Sequence, residues 1–509
     1  MGRALVQRCS SCKCLLLIFV LNLYLVPSLH AQGALTPPQI AVGGAIQTLC
    51  PPLSMVRPKP TGSTGDLLDR CTEVLVNADP TVGNQGAVPN PLLQMTSKEV
   101  SSQGTKSVET STMQFANIAT RISELRSGVR GVSLLGIALR DPERAPANPA
   151  LASLWPGQDR ATVGEAGVLN TFPRFETSFA ANSSQPMLAQ AGSSGSASAA
   201  GANPFGRLGV FVNGIYGFGD KDATSREAGF DFDTYGVTGG VDYRIKDNLV
   251  GGVAFGYTHT NDDYASSRGD MDANSYTFSA FGTYYVGQLY VDGIFNYSWN
   301  DFDSSRNIVY SIPQVQFDAS GTPVGILPTN TTVTQTARSE TDGTQFAFGL
   351  STGYDFTARG FTFGPYGQLN YLQAHIDGFQ EHINDTNAGF GLPLSMQWQD
   401  VQSLTWVLGG QGSYAFSTGF GVLVPQLRFE WVHEFLNNQR DITARFVSDP
   451  ANTPFLLVTD DPDRNYFNLG AGLSAVFQRG VSAFVYYETV LALENVTANK
   501  IAVGVRLAF

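Results

Sequence analysis

The feature that most restricts the fold is a long series of alternating residues in the latter part of the chain. In the run near residue 249, large apolar side chains occupy alternate positions, with small or polar residues between them. A period of two is that of a β-strand with two unlike faces. Twelve such runs begin near residues 207, 231, 248, 272, 288, 341, 360, 397, 418, 463, 480 and 499. Each covers about 10 to 18 residues, against ~5–6 in most globular sheets.

The connections between these runs alternate between short and long. The short ones are Lys246–Asn248, Val286–Gln288, Thr357–Gly360, Ser417–Gly419 and Gln478–Gly480. The long, polar ones include 219–230, 304–339, 379–396 and 437–462. Short turns at one end and long loops at the other are typical of an outer-membrane barrel, whose closed sheet satisfies every backbone hydrogen bond in lipid. We therefore predict an all-β transmembrane barrel of twelve antiparallel strands.

Aromatic residues near the predicted strand ends are candidates for the two interfacial girdles of such a barrel. They are Tyr243, Tyr257, Tyr285, Trp299, Tyr371, Trp398, Trp406 and Trp431. Inward positions of the predicted strands carry charges of both signs. The lumen-facing candidates are Asp242, Arg244, Asp292, Asp355, Arg428, Glu430 and Arg506. Mixed charges in a lumen bind a polar plug or line a wet pore, and the sequence leaves both interpretations open.

Several short motifs in this region occur together. They are Gly239-Gly240-Val241-Asp242-Tyr243, Phe363-Gly364-Pro365-Tyr366, Val424-Pro425 followed by Trp431-Val432-His433-Glu434-Phe435, and the terminal Val505-Arg506-Leu507-Ala508-Phe509. In this order and spacing, residues 206–509 resemble the autotransporter β-domain, the translocator of type V secretion. The resemblance implies a twelve-stranded barrel with a helix threaded through its pore. It also implies that Phe509 is a sorting signal for outer-membrane assembly.

The resemblance implies an outer-membrane protein of a Gram-negative bacterium that translocates or displays its own N-terminal segment. Its implied partners are outer-membrane lipid, the Sec translocon and the barrel-assembly machinery, with the barrel as a monomer. Two alternatives share the fold: a porin-like channel or anchor with a periplasmic N-terminal domain, and an outer-membrane hydrolase. Passengers of this family are usually long and repetitive, whereas no repeat occurs before this barrel. The predicted cargo is therefore small.

Residues 1–31 have the pattern of a secretory signal peptide. Arg3, Arg8 and Lys13 precede an apolar core over 15–27, and Ala31 follows it. Three of the five cysteines lie in this segment, which leaves Cys50 and Cys71. An even pair in an oxidising compartment predicts a disulfide, and closing this loop is expected to contribute about 3 kcal/mol of stability. A pair of free buried thiols is the alternative.

Residues 32–182 form a short, partly helical region, and the Ser/Ala/Gly-rich stretch 183–205 predicts a flexible linker. Short helices are predicted at Ala41–Leu49 and Asp66–Val76, and the main helix at about 91–130. Its apolar residues recur on one face, namely Val108, Phe115, Ile118, Ile122, Leu125 and Val129. We favour a helical domain outside the barrel, because such a face suits a partner helix. A helix within the pore is the alternative.

Composition and motifs exclude several functions. The net charge of −12 argues against a nucleic-acid partner. Gly349–Gly353 has the spacing of a nucleophile elbow around Ser351, but it lies within a predicted strand rather than at a strand–helix turn. The acidic pair Asp262 and Asp263, placed in a predicted loop, lacks the Gly and Glu of a calcium loop. An outer-membrane protease that uses the predicted loop carboxylates Asp262, Asp263 and Asp270 with histidines is the alternative; its candidate histidines are His259, His375, His382 and His433. We predict no enzyme, no cofactor and no metal site.

Overall fold

The computed structural model describes residues 35–56, 58–126, 132–134, 137–138, 207–318, 323–358, 360–477 and 481–507. The predicted signal peptide (1–31), the predicted linker (183–205) and Phe509 lie outside these residues. Among the described residues, no helix combines the length and the apolar character that a membrane span requires.

Twelve antiparallel strands form a closed barrel in which each strand pairs with the next along the chain. The last strand pairs with the first from Val496↔Lys221 to Ile501↔Tyr216, which closes the sheet. The predicted fold class is confirmed. The strands are β1 (Leu208–Lys221), β2 (Phe230–Lys246), β3 (Leu249–Tyr264), β4 (Gly269–Val286), β5 (Leu289–Phe317), β6 (Pro323–Tyr354), β7 (Phe361–Ile376), β8 (Gln399–Tyr414), β9 (Gly421–Glu434), β10 (Asn465–Phe477), β11 (Val481–Leu491) and β12 (Val496–Leu507).

Side chains in the barrel are arranged inside out relative to a water-soluble protein. Large apolar residues point outward and stay exposed, as in Phe255 (54% exposed) and Leu427 (65%). Small and polar residues, such as Thr234 and Ser279, point into the lumen and are buried. This arrangement is the physical reason for the alternation in the sequence, because lipid favours the apolar face and the lumen favours the polar one.

The segment 304–339 was predicted as a loop, and this prediction was wrong. β5 and β6 are 29 and 32 residues long and pair beyond the barrel as a hairpin over 304–317 and 323–339 of that segment. Ile308, Tyr310 and Ile312 alternate with exposed residues along β5 and are buried. The hairpin is stable because these alternate side chains pack against helices from the N-terminal region.

A helical region from the N-terminus sits at the barrel end where the long connections emerge. It contains α1 (Pro37–Met55), α2 (Gly62–Ala78) and α3 (Pro89–Gln94), with 3₁₀ turns at Gln85–Ala87 and Lys98–Ser101. Four short loop strands form a separate sheet beside it: Phe379–Gln380, Leu394–Met396, Asp441–Phe446 and Phe455–Val458. We call residues 37–56 and 58–101, the outer hairpin (307–317 and 323–331) and this sheet the cap.

One apolar core joins the helices of the cap to the loop strands. Ile46 and Leu49 of α1 and Leu67 of α2 are in the same buried cluster as Val333 and Phe446 of the loops. A disulfide between Cys50 and Cys71 links α1 to α2. The N-terminal region therefore depends on barrel loops for its core and does not form a separate globule.

The remaining helix, α4 (Ser102–Arg126), lies inside the barrel. Our preference for a helix outside the barrel was wrong. The apolar stripe is genuine, and Phe115, Ile118, Ile122 and Leu125 are all buried. Its partners, however, are barrel side chains such as Phe211 and Phe281. We call α4 the pore helix. After it, Val132–Leu134 pairs with Ile137–Ala138 and runs parallel to β1.

Short strands and turns complete the described barrel. Phe356–Ala358 pairs with the start of β7, and Phe416–Thr418 pairs with the start of β9. A 3₁₀ turn at Ala265–Ser267 joins β3 to β4. The two short strands lie at the short-turn end, and the 3₁₀ turn makes one connection at the long-loop end short.

Candidate functional site

The pore helix and the wall around it form the candidate site. Three buried cations of the helix each meet a carboxylate of a different strand. Lys106 Nζ lies 2.9 Å from Asp262 Oδ1, on β3. Arg121 Nε donates to Asp242 Oδ2 of β2 at 2.8 Å, and Arg126 donates to Asp292 of β5.

These ion pairs are almost completely removed from solvent. The side chains of all three cations are at most 1% exposed, and those of their three carboxylate partners at most 3%. Lys106 has a second partner, Glu109 Oε2, at 2.8 Å on the helix itself. Because a buried charge without its partner is costly, each pair specifies one depth and one rotation of the helix in the lumen.

Neutral hydrogen bonds reinforce this register at the middle of the helix. Gln114 Nε2 donates to Ser279 Oγ at 2.7 Å, and Thr238 Oγ1 donates to Gln114 Oε1 at 2.7 Å. Asn117 Nδ2 donates to Thr238 Oγ1 at 3.0 Å, and Asn213 Nδ2 donates to the Asn117 carbonyl at 2.8 Å. The helix is therefore held by specific polar contacts along its length rather than by apolar packing alone.

The direction of the helix follows from the heights of its contacts. Asp262, the partner of Lys106, lies two residues from the end of β3 at the long-loop end. Asp292, the partner of Arg126, lies just after the short turn between β4 and β5. The chain thus enters the lumen from the cap and leaves it at the short-turn end, where β1 also begins.

The structure separates the predicted lumen residues into two groups. Asp242, Asp292 and Arg244 contact the pore helix, and Arg244 Nη2 donates to the Leu125 carbonyl at 3.1 Å, at the last turn of the helix. A cation there also favours the helix dipole. Arg428 and Glu430 pair with each other instead.

Two further predicted lumen residues lie near the short-turn end or outside the described part. Asp355 is fully buried beside the turn between β6 and β7, and its backbone N–H donates to the Gln288 carbonyl at 3.1 Å. Arg506 lies on β12 opposite Ser482, but its side chain is outside the described residues.

Sequence reasoning missed the helix side of this site. The sequence analysis does not predict Lys106, Arg121 and Arg126 as site residues, because charged residues on a helix usually face solvent. The prediction that Asp262 lies in a loop was wrong, since β3 extends to Tyr264 and turns Asp262 inward. The available signal was composition: apart from its apolar stripe, the helix is rich in Ser, Thr and Gln, which suits a polar lumen.

A second buried polar cluster attaches the cap to the barrel loops. Asp66 of α2 accepts the backbone N–H of Gly389 at 3.0 Å and that of Gly391 at 2.8 Å. Arg70 Nη1 donates to Glu73 Oε2 at 2.6 Å, and Thr331 Oγ1 donates to Glu73 Oε1 at 2.6 Å. One face of α2 therefore connects the N-terminal region to the loop between β7 and β8 and to the outer hairpin.

The residues considered for catalysis do not come together. Ser351 lies within β6, faces the lumen and donates to Asp292 Oδ2 at 3.4 Å. His433 lies on β9, where its Nδ1 is 2.9 Å from Asn465 Oδ1 and its ring packs against Trp431 and Phe435. The serine faces the lumen, whereas the histidine belongs to the outward-facing aromatic row. No group of three or more potential metal ligands occurs among the described residues.

Comparisons with known proteins place this geometry in a family. Residues 210–488 match the family described as the autotransporter beta-domain. The esterase EstA of Pseudomonas aeruginosa is 25% identical over 238 residues, which are 46% of this chain and 32% of the esterase. Outer membrane protein B of Rickettsia rickettsii is 28% identical over 328 residues, 63% of this chain and 18% of that protein. The chain thus spans a third or less of these relatives.

Among solved structures, the translocator domain of the autotransporter NalP from Neisseria meningitidis matches 59% of this chain and 87% of that domain. The sequence identity is 16% and the TM-score is 0.41.

Proposed function

Since the chain belongs to the autotransporter β-domain family and is an outer-membrane barrel, we propose that it moves its own N-terminal segment through the membrane. The segment then stays attached and is displayed as the cap. The observation that carries this proposal is the direction of the pore helix. Its N-terminal end joins the cap at the long-loop end, and its contacts at Arg126 lie at the short-turn end.

The asymmetry of the connections supports this orientation. In outer-membrane barrels the short turns face the periplasm and the long loops face the exterior. The cap is built on the long loops and shares its core with them. A segment of this size reaches that side only by crossing the membrane, and the pore helix is the part of the chain that then remains in the lumen.

The test is a comparison of two single-cysteine variants in intact cells. The two native cysteines outside the predicted signal peptide form a disulfide, so they give no background with a maleimide reagent. Asn84→Cys lies on an exposed surface of the cap, and Gly419→Cys lies in an exposed short turn. We expect a membrane-impermeant maleimide to label Asn84→Cys in intact cells and Gly419→Cys only after the outer membrane is opened.

Labelling of Asn84→Cys only in opened cells would refute display and favour a periplasmic cap. When the labelled cells are separated by gel electrophoresis and blotted for the protein, we expect the label in the full-length band, because the cap stays attached. A shorter, labelled band released into the medium would instead mean that the segment is cleaved.

Deleting Phe509 is expected to lower the amount of folded barrel in the outer membrane. A terminal aromatic residue on an alternating strand is the proposed signal for the barrel-assembly machinery. The measurement is the fraction of protein in outer-membrane preparations that migrates as the heat-modifiable, folded form. Phe509→Tyr, which keeps the aromatic ring, is the control and should assemble normally. Unchanged assembly of the deletion variant would contradict this role.

We further propose that the barrel itself is not an enzyme. The separation of Ser351 and His433 supports this view. The serine hydroxyl is hydrogen-bonded to Asp292 and the histidine ring lies beside Asn465, so the two are not bonded to each other. The relation to an esterase motivates the direct test, which is hydrolysis of short-chain nitrophenyl esters by the purified protein. Activity that Ser351→Ala abolishes would overturn the proposal.

A further inference from the structure

The pore helix fills only part of the lumen. It packs mainly against β1 to β7. On the other side, the wall formed by β8 to β12 faces a space that the helix reaches through only a few residues, such as Met113 and Ala116 against Tyr486. Among the described residues, two features lie in this second part of the lumen: a cavity near the long-loop end and a cluster of charged side chains beneath it.

The cavity has a volume of about 860 Å³. It extends from the first turns of the pore helix, at Gly104 and Thr105, to the ends of β1, β8, β9, β10 and β12. Eight carboxylate and three cationic side chains line it. Three of the carboxylates, Asp461, Asp463 and Glu494, belong to the loops at its outer end. The lining is therefore strongly negative, and most so toward the loops.

The charged cluster lies on β7, β9, β10 and β11, and we call it the wall network. Its members are Tyr366, Arg428, Glu430, Asn468, Tyr486 and Glu488. Arg428 Nε donates to Glu430 Oε1 at 2.9 Å and to the Tyr366 hydroxyl at 2.8 Å. Asn468 Nδ2 donates to Glu430 Oε2 at 2.8 Å.

The second acid of the wall network extends it toward β11. Tyr486 Oη donates to Glu488 Oε2 at 2.9 Å, and Arg428 Nη1 lies 3.7 Å from the same oxygen. No member is more than 5% exposed. The network is thus a continuous set of solvent-excluded polar contacts that links β7, β9, β10 and β11 along the wall facing this part of the lumen.

Glycines on neighbouring strands make room for the two tyrosine rings of the network. A Cβ added to Gly409 would meet Tyr366, and one added to Gly470 would meet Tyr486. The rings therefore lie over these glycines, where a side chain on the neighbouring strand would displace them. Below Gly470, the next two inward positions of β10 are Gly472, which has no side chain, and Ser474, whose side chain is small.

The cavity and the network are directly adjacent. Lys500 lines the cavity and is the cross-strand neighbour of Glu488. On β10, Tyr466 lines the cavity and Asn468, one pleat further along, belongs to the network. On β9, Glu434 lines the cavity, and Glu430, two pleats further along, belongs to the network. The network is the floor of the cavity.

We propose that the barrel contains a closed path for small monovalent cations beside the pore helix, with the cavity as its outer vestibule and the wall network as its seal. The helix closes one part of the lumen and the network closes the rest. Carboxylate rings favour cations in pores, so the vestibule determines the selectivity of the path once the seal is removed.

The test is the conductance of the full-length protein in planar lipid bilayers. The triple variant Arg428→Ala/Glu430→Ala/Glu488→Ala removes the three charged members of the network together. We expect steady conductance in potassium chloride at least about fivefold above that of the wild type, with potassium preferred over chloride in a salt gradient. Adding Asp461→Asn, Asp463→Asn and Glu494→Gln should lower that preference and leave the path open.

Thr277→Ala/Ser298→Ala is the matched control. It removes a buried, inward-facing hydrogen bond of 2.7 Å between β4 and β5, where the helix fills the lumen. We expect the control to stay as closed as the wild type. If the triple variant fails to fold, as judged by heat-modifiable migration, Tyr366→Ala/Tyr486→Ala opens the same path by removing ring volume alone.

Three results would overturn the proposal. If a folded network variant conducts no more than the wild type, another part of the protein closes the lumen. A control variant that conducts as well as the network variant shows a nonspecific leak. A preference for chloride excludes the acidic cavity as the mouth of the path.

Discussion

Replacing Asp292 with alanine is expected to destabilise the seated pore helix by about 3–5 kcal/mol. Asp292 is the carboxylate partner of Arg126, whose guanidinium is 1% exposed and lies 3.9 Å above the ring of Tyr290. The substitution leaves a buried cation without its counter-charge. The measurements are the temperature at which the purified barrel loses its folded migration in detergent and the rate of trypsin cleavage after Arg126.

The double variant Asp292→Ala/Arg126→Met is expected to recover most of this loss, because it removes the uncompensated charge and leaves an unbranched apolar side chain at this position. Asp233→Ala is the matched control. Asp233 is on the outer surface of β2, so losing its carboxylate should cost under about 1 kcal/mol. If Asp292→Ala were no more sensitive to trypsin than Asp233→Ala, the ion pair would have no part in holding the helix.

The attachment of the cap is expected to weaken by about 3 kcal/mol between pH 4.5 and pH 7, and Glu73→Gln should remove this dependence. Burial raises the pKa of Glu73 from 4.5 to about 7, and the neighbouring Arg70 and the hydrogen bond from Thr331 oppose this rise only in part. Asp66 and Asp69 on the same helix raise it further, and Tyr310 of the outer hairpin is the other titratable group nearby.

The sign follows from the proton that the folded cap retains. A carboxyl group whose folded pKa is raised holds its proton to a higher pH than the unfolded chain does. Its contribution is fully present below about pH 4.5, falls as the pH rises to 7, and is constant above that. Calorimetry of the purified protein at pH 5 and pH 8 should therefore show the cap transition at a lower temperature at pH 8.

Asp69→Asn is the control for this experiment. Asp69 is on the same helix, but its side chain is 41% exposed and pairs with Lys59 at the surface. This variant should keep most of the wild-type dependence on pH, because Asp69 raises the pKa of Glu73 by much less than burial does. A Glu73→Gln variant that is as sensitive to pH as the wild type would mean that another group controls the attachment of the cap.

The barrel could be predicted from the sequence because each strand shows a period-two alternation that depends only on its own residues. In the run near residue 249, the face with the large apolar residues is predicted to contact lipid, and this prediction needs no information from any other strand. The short turns, such as Val286–Gln288, state where neighbouring strands join. Such local information also placed Asp242 and Asp292 in the lumen as candidates, but it did not say what they contact there.

The outer hairpin shows where local information is insufficient. The stretch 304–339 is polar and lies between two barrel strands, which is typical of a loop. It is extended because one of its faces packs on helices that come from residues 37–101. Those helices are more than two hundred positions earlier in the chain, and no pattern within the hairpin identifies them.

The amino-acid sequence alone determined the closed sheet, its strand number and the distinction between its two ends, because period and turn length are properties of neighbouring residues. Only the tertiary structure decided that the helix over 102–126 lies in the lumen and that the N-terminal region shares its core with the long loops. An apolar stripe predicts that one face of a helix is buried, but it does not identify the residues that the face packs against. The partner is specified by pairs such as Arg126 and Asp292, which are 166 positions apart and meet only when the barrel closes around the helix.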